Sequence, residues 1–102
     1  MTAPAQFKRV LAAGRRAALP SLTVVASPTA GESRLGIVAS RRVGTAVARN
    51  RAKRLLREAA RAAGVRPGMD VVLLASATTA KQSLHSVLAD LRNGLSRVGA
   101  AC

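Results

Sequence analysis

The chain is poor in the groups that usually carry out chemistry. Among 102 residues there is one cysteine, one histidine, four acids and one phenylalanine, with no tyrosine or tryptophan. A lone thiol, Cys102, excludes an internal disulfide and a thiolate metal cluster. His85 falls in an apolar-periodic stretch, where a structural or solvated imidazole is expected rather than a catalytic one. Glu32, Glu58, Asp70 and Asp90 are far apart, with no motif around them. A hydrolase made of protein alone needs paired carboxylates, a histidine base or a metal cage, and none is recognisable. Long apolar runs are missing too. No stretch nears the roughly 18 residues that span a bilayer, and the N-terminus lacks a signal-peptide core, so a cytoplasmic chain is expected. Much of the 49% apolar content is alanine, which predicts a shallow aliphatic core.

What is abundant is positive charge. The net charge of +13 and the pI near 12.0 exceed what solubility requires and match a nucleic-acid binder, with an anionic membrane surface as the competing partner. The charge is concentrated in "RRVGTAVARNRAKRLLREAAR", residues 41–61. It holds Arg41, Arg42, Arg49, Arg51, Lys53, Arg54, Arg57 and Arg61 against one acid, Glu58. On a helical wheel Ala48, Ala52, Leu55, Leu56, Ala59, Ala62 and Ala63 fill an arc of about 120°, a normal core-facing stripe. The basic residues and Asn50 take the rest, interrupted by Val47, Glu58 and Ala60. Solvated faces usually mix signs, and like charges at i, i+4 such as Arg49, Lys53 and Arg57 repel each other along a helix. The preference for arginine suits bidentate phosphate contacts, although a GC-rich genome produces the same bias. A face so uniformly basic fits the backbone and shape recognition typical of folded RNA better than base reading in a DNA groove.

Elsewhere the pattern reads as a single domain over residues 1–102. "PAQFKRVLAA" (4–13) predicts a helix with Phe7, Val10 and Leu11 on one face and Gly14 as its stop. "LPSLTVVAS" (19–27) and "SRLGIVAS" (33–40) read as strands joined through the turn-forming "PTAGE" into an antiparallel hairpin. After the break at "RPG" (66–68), "MDVVLLASA" (69–77) reads as a central strand covered on both faces. Thr79 and Gln82 form a capping-box pattern before a helix whose Leu84, Leu88, Leu91, Leu95 and Val98 recur at core spacing. The class is α+β.

The string "SRRVGTAVARNRAKRLLREAAR" closely resembles the signature of the bacterial ribonuclease P protein subunit. The match consists of Arg41-Arg42, the Val43-Gly44 turn, Arg49-Asn50-Arg51, Lys53-Arg54 and Arg57. "FKRVLAAGRRA" resembles the family's first helix and "DVVLLA" its last strand, so the resemblance runs over about 6–98. It implies an α-β-β-β-α-β-α domain similar to the second domain of ribosomal protein S5, with a left-handed β-α-β crossover against the usual rule. Residues 33–44 would supply the second and third strands. By the same resemblance the protein partners a catalytic RNA, one to one, in removing the 5′ leader of precursor tRNA. Hydrolysis would be performed by the RNA with Mg²⁺, and no DNA or membrane partner is implied. Arg42, Gly44, Arg49, Arg51, Arg54 and Arg57 would face the catalytic RNA, with Arg61 added from the wheel. Phe7, Leu11 and Val25 would line a cleft for the leader, bordered by Asn50 and Lys53. The chain departs from the pattern in having only Phe7 as an aromatic there, and "MTAPAQ" where a basic run often stands. Rival readings are a structural RNA-binding module, a DNA-binding regulator and a protein-only nuclease.

Overall fold

The computed structural model describes the backbone of residues 4–102 and the side chains from Phe7 onward. The order is α1 (Pro4–Ala13), β1 (Arg15–Ala18), β2 (Leu22–Pro28), β3 (Arg34–Val38), α2 (Ala46–Ala63), β4 (Met69–Ala75) and α3 (Leu84–Arg97). Single 3-10 turns sit at Arg41–Val43 and Thr79–Lys81. The α-β-β-β-α-β-α order is the expected one, but the strands are assigned differently.

The four strands lie in the order β1-β2-β4-β3. The hairpin expected between residues 19–27 and 33–40 does not form. Instead β2 pairs antiparallel with β1 and β4, and β3 pairs parallel with β4. The apolar run of β4 explains the insertion, because a strand with apolar side chains on both faces loses most water in the middle of a sheet. The true hairpin is β1–β2, closed by Leu19 N–H donating to Leu22 O at 2.8 Å. Nor do residues 33–44 supply two strands. Their second half is the 3-10 turn, and the extra strand is β1, whose "RRAA" has no β-branched residue and takes its conformation from pairing along β2.

Alternation along the strands divides the core. Leu22, Val24, Val71 and Leu73 face α2 and α3, meeting Leu56, Ala59, Val87, Leu91, Leu95 and Val98. Val25 and Val72 face the other way, beneath Val10 of α1. One side of the sheet therefore carries two helices and the other carries one short helix.

Helix α2 is capped by Thr45, whose Oγ1 accepts from Ala48 N–H at 3.2 Å. Helix α3 starts later than the Thr79/Gln82 pattern predicts, with Ser83 as its cap accepting from Ser86 N–H at 3.1 Å. Thr79 is buried and serves another purpose: its hydroxyl donates to Ser21 O and accepts from Ser76 N–H. That arrangement ties the β4–α3 connection to the β1–β2 turn, and a buried hydroxyl so satisfied is not free to cap a helix.

Candidate nucleic-acid interface

Helix α2 buries Ala52, Leu56, Ala59 and Ala60 against the sheet and α3, with Ala48, Leu55 and Ala63 half-buried beside them. The stripe is rotated slightly from the wheel, since Ala60 is inside and Ala62 is exposed. Arg51, Arg54, Arg57 and Arg61 are exposed, as are Val47, Asn50 and Glu58, while Arg49 and Lys53 are half-buried on the flank.

The charge on this face is uncompensated. Among the described residues there is one ion pair, Arg9 with Asp70, and it lies on the α1 side. Arg51 makes one internal contact, its Nε donating to Ala80 O at 2.7 Å. The contact fixes the guanidinium by its Nε edge and binds α2 to the β4–α3 connection. Arg54, Arg57 and Arg61 form no ion pair among the described residues, although Glu58 is within a helical turn of each. Such a row attracts an extended polyanion, because each guanidinium offers a fork of donors matched to phosphate oxygens.

On the opposite face of the sheet, α1 leaves part of the surface open. A hollow of about 410 Å³ has Thr23, Val38 and Leu74 as its floor and Ser40, Arg42 and Ser76 among its walls. Thr23 pairs with Leu74, and Leu74 with Val38, so the floor is one row across three strands. The next row, Val25, Val72 and Gly36, lies under α1. Phe7 is half-buried with its ring over Gly36, where an added Cβ would come within 2.5 Å of Phe7 Cε1. Leu11 is half-buried beside it, at the margin of the same cluster.

Four expected site residues are placed differently from the expectation. Val25 is fully buried beneath Val10 and offers no surface, because its side of β2 is the side α1 covers. Arg42 lines the hollow, since the 3-10 turn and the unusual backbone of Gly44 (φ 126°) set it apart from α2. Asn50 and Lys53 are carried by α2, on the other side of the sheet from α1, and are not among the residues lining the hollow. Thr23, Val38, Ser40, Leu74 and Ser76 were missed by sequence reasoning. Their only signal is strand alternation, which is informative once the strand order is known.

Arg9 connects α1 to the sheet: its Nη2 donates to Asp70 Oδ2 at 2.8 Å. Asp70 is 1% exposed, and its Oδ1 has no hydrogen-bond partner among the described residues. Arg9→Ala would leave a buried carboxylate without its donor. Because Arg9 is itself 55% exposed, water recovers part of the loss, and the expected cost is about 1–2 kcal/mol. Urea titration of the two proteins measures it, with Arg9→Lys expected to retain most of the stability.

Fold and surface together define a class: a small single-domain α+β protein that displays one cationic helix and has an open groove behind its sheet. Among the described residues no three His, Cys, Asp or Glu side chains gather to hold a metal ion. No helix among them is long and apolar enough to cross a membrane. Within that class, the chain belongs to the ribonuclease P protein family, whose model matches residues 1–99. It is similar to the ribonuclease P protein component of Dehalococcoides mccartyi, 42% identical over 81 residues, covering 78% of this chain and 68% of that one. The corresponding protein of Paramagnetospirillum magneticum is 38% identical over 105 residues, covering 94% of this chain and 79% of its own length. Among solved structures, the RNase P protein of Thermotoga maritima superposes with a TM-score of 0.79 at 27% identity, over 90% of each chain.

Proposed function

We propose that the chain is the RNA-binding subunit of ribonuclease P, acting with a catalytic RNA, one to one, to remove the 5′ leader of precursor tRNA. The observation that carries this reading is the row of exposed, uncompensated arginines on α2. Arg51, Arg54, Arg57 and Arg61 would hold phosphates of the catalytic RNA, with Arg49 at the flank and Gly44 setting the approach of the chain. The groove behind the sheet would take the single-stranded leader. Phe7 and Leu11 belong to the apolar cluster that Val38 and Leu74 share, one row from the floor, and Arg42 is the cation that lines the hollow and would meet a phosphate there.

In this proposal hydrolysis is left to the RNA and to Mg²⁺ held by it. The protein's donor set does not fit a resident metal: Asp70 is engaged by Arg9, Asp90 accepts from Ser21 N–H and Oγ–H, and the other acids stand alone. Its contribution is binding energy for enzyme assembly and for the precursor. The groove floor is aliphatic and hydroxylic, so leader binding depends on phosphate contacts and the edge of one phenyl ring rather than on repeated base stacking.

The test is multiple-turnover cleavage of a precursor tRNA by a bacterial ribonuclease P RNA at low Mg²⁺, with and without the protein. Stimulation by the protein, and no cleavage by the protein alone, is the expected result. Tight binding to unrelated structured RNA without stimulation would reduce the chain to a general RNA binder. Phe7→Ala is expected to lower the preference of the assembled enzyme for precursor over mature tRNA by about tenfold. An unchanged preference would confine Phe7 to packing α1 on Gly36.

A further inference from the structure

The outermost row of α2 is not wholly cationic. Val47, Arg51, Arg54 and Glu58 follow at i, i+4, i+7 and i+11, which places them in one line on the side facing away from the core. Val47 is 79% exposed, the most exposed large apolar side chain among the described residues. Glu58 is exposed and is the only acid on the helix. It forms no ion pair among the described residues, although Arg54 and Arg61 are one turn to either side.

Neither side chain suits a phosphate. An apolar side chain gains nothing from it, and a carboxylate held against a phosphate row is repelled. A carboxylate is acceptor-only and is stabilised by donors. RNA offers donors in its nucleosides, through the ribose 2′-hydroxyl and the exocyclic amino groups of bases, and both are accessible on the wide, shallow groove of an A-form helix. The two non-cationic residues of the row are about 16 Å apart along the helix axis, with Arg51 and Arg54 between them. The row therefore has groups suited to the sugar and base surface at its two ends and groups suited to the backbone between them.

We infer that Glu58 is a nucleoside-binding residue of the α2 interface, accepting a hydrogen bond from a 2′-hydroxyl or a base amino group of the ribonuclease P RNA while the arginines around it hold phosphates. The inference rests on the proposal that α2 faces that RNA, and it adds a contact of a different chemical kind. Val47, in this arrangement, packs on the sugar and base surface at the other end of the row.

Glu58→Ala separates this contact from simple electrostatics by the sign of its effect. Alanine suits an exposed helical position, so the variant folds. If Glu58 merely faces phosphates, its removal makes the face more positive and binding to the ribonuclease P RNA tightens. The inference requires the opposite: binding about tenfold weaker at the same salt, with Glu58→Gln in between. The donor is then identified with RNA carrying scattered substitutions. A 2′-deoxy position that weakens the wild type but not Glu58→Ala assigns the ribose, and a position sensitive to loss of an exocyclic amino group assigns the base. Equal or tighter binding by Glu58→Ala overturns the inference, as does the absence of any Glu58-dependent position. Failure of the underlying proposal is read separately, as unchanged RNA affinity when Arg54 and Arg57 are both replaced by alanine.

Discussion

Replacing Arg54 and Arg57 together by alanine is expected to weaken binding to the ribonuclease P RNA by about 100-fold at moderate salt and to remove most of the stimulation of precursor cleavage at low Mg²⁺. Each side chain is exposed and lacks an ion-pair partner among the described residues, so each is available to neutralise one phosphate. Counterion release then predicts that the slope of log affinity against log salt falls by about 1.8, or about 0.9 for each lost contact on duplex-like RNA. The fold should be unaffected. Both positions are on the solvent side of α2, and removing neighbouring like charges relieves repulsion within the helix. The informative measurement is therefore the salt titration of binding, with thermal unfolding as its control. An unchanged slope would remove α2 from the RNA interface, whatever happened to activity.

Gly14→Ala is expected to lower the unfolding midpoint by roughly 10–20 °C, corresponding to about 2–3 kcal/mol for a domain of this size. Gly14 is the single residue between α1 and β1, and its N–H donates to Val10 O at 2.7 Å to close the helix. A Cβ there would collide with Val10 O and come within 2.8 Å of Ala26 O and 2.9 Å of Val25 Cγ1. Two of these neighbours are main-chain carbonyls, which cannot yield as a side-chain tip can. Relief requires α1 to lift from the sheet, exposing Val10, Val25 and Val72 and deforming the groove. Thermal unfolding alongside Gly31→Ala, where an added Cβ meets nothing within 4 Å, isolates the effect. Equal midpoints for the two variants would show that the α1–β1 turn is more compliant than its geometry implies. Because α2 packs on the other face, the proposed function predicts that whatever Gly14→Ala remains folded keeps its affinity for the ribonuclease P RNA and loses selectivity for precursor tRNA.

The elements that can be read in advance are those whose own residues state their surroundings. Helix α1 spans the residues its apolar spacing predicts, bounded by Pro4 and the stop at Gly14. Strand β4 was legible as central because "VVLL" (71–74) is apolar on both faces and only a covered strand tolerates that. The cationic face of α2 was legible because one helix period carries both the alanine and leucine stripe and the arginines, so burying the first must expose the second. The starting point of α3 was not, because Thr79 and Ser83 both look like caps, and only the buried carbonyl of Ser21 determines which of them is free to act as one.

By itself, then, the sequence determined the charge and the helix that displays it, since both follow from residue type and local period. Tertiary structure alone decided where β4 inserts, that "RRAA" becomes an edge strand, and that Val25 lies sealed under α1 while Thr23, Val38 and Leu74 form an open floor. The physical reason is that strand pairing joins residues distant in the chain. Its order is chosen by the total apolar surface removed from water, a property of the whole sheet that no short stretch of sequence contains.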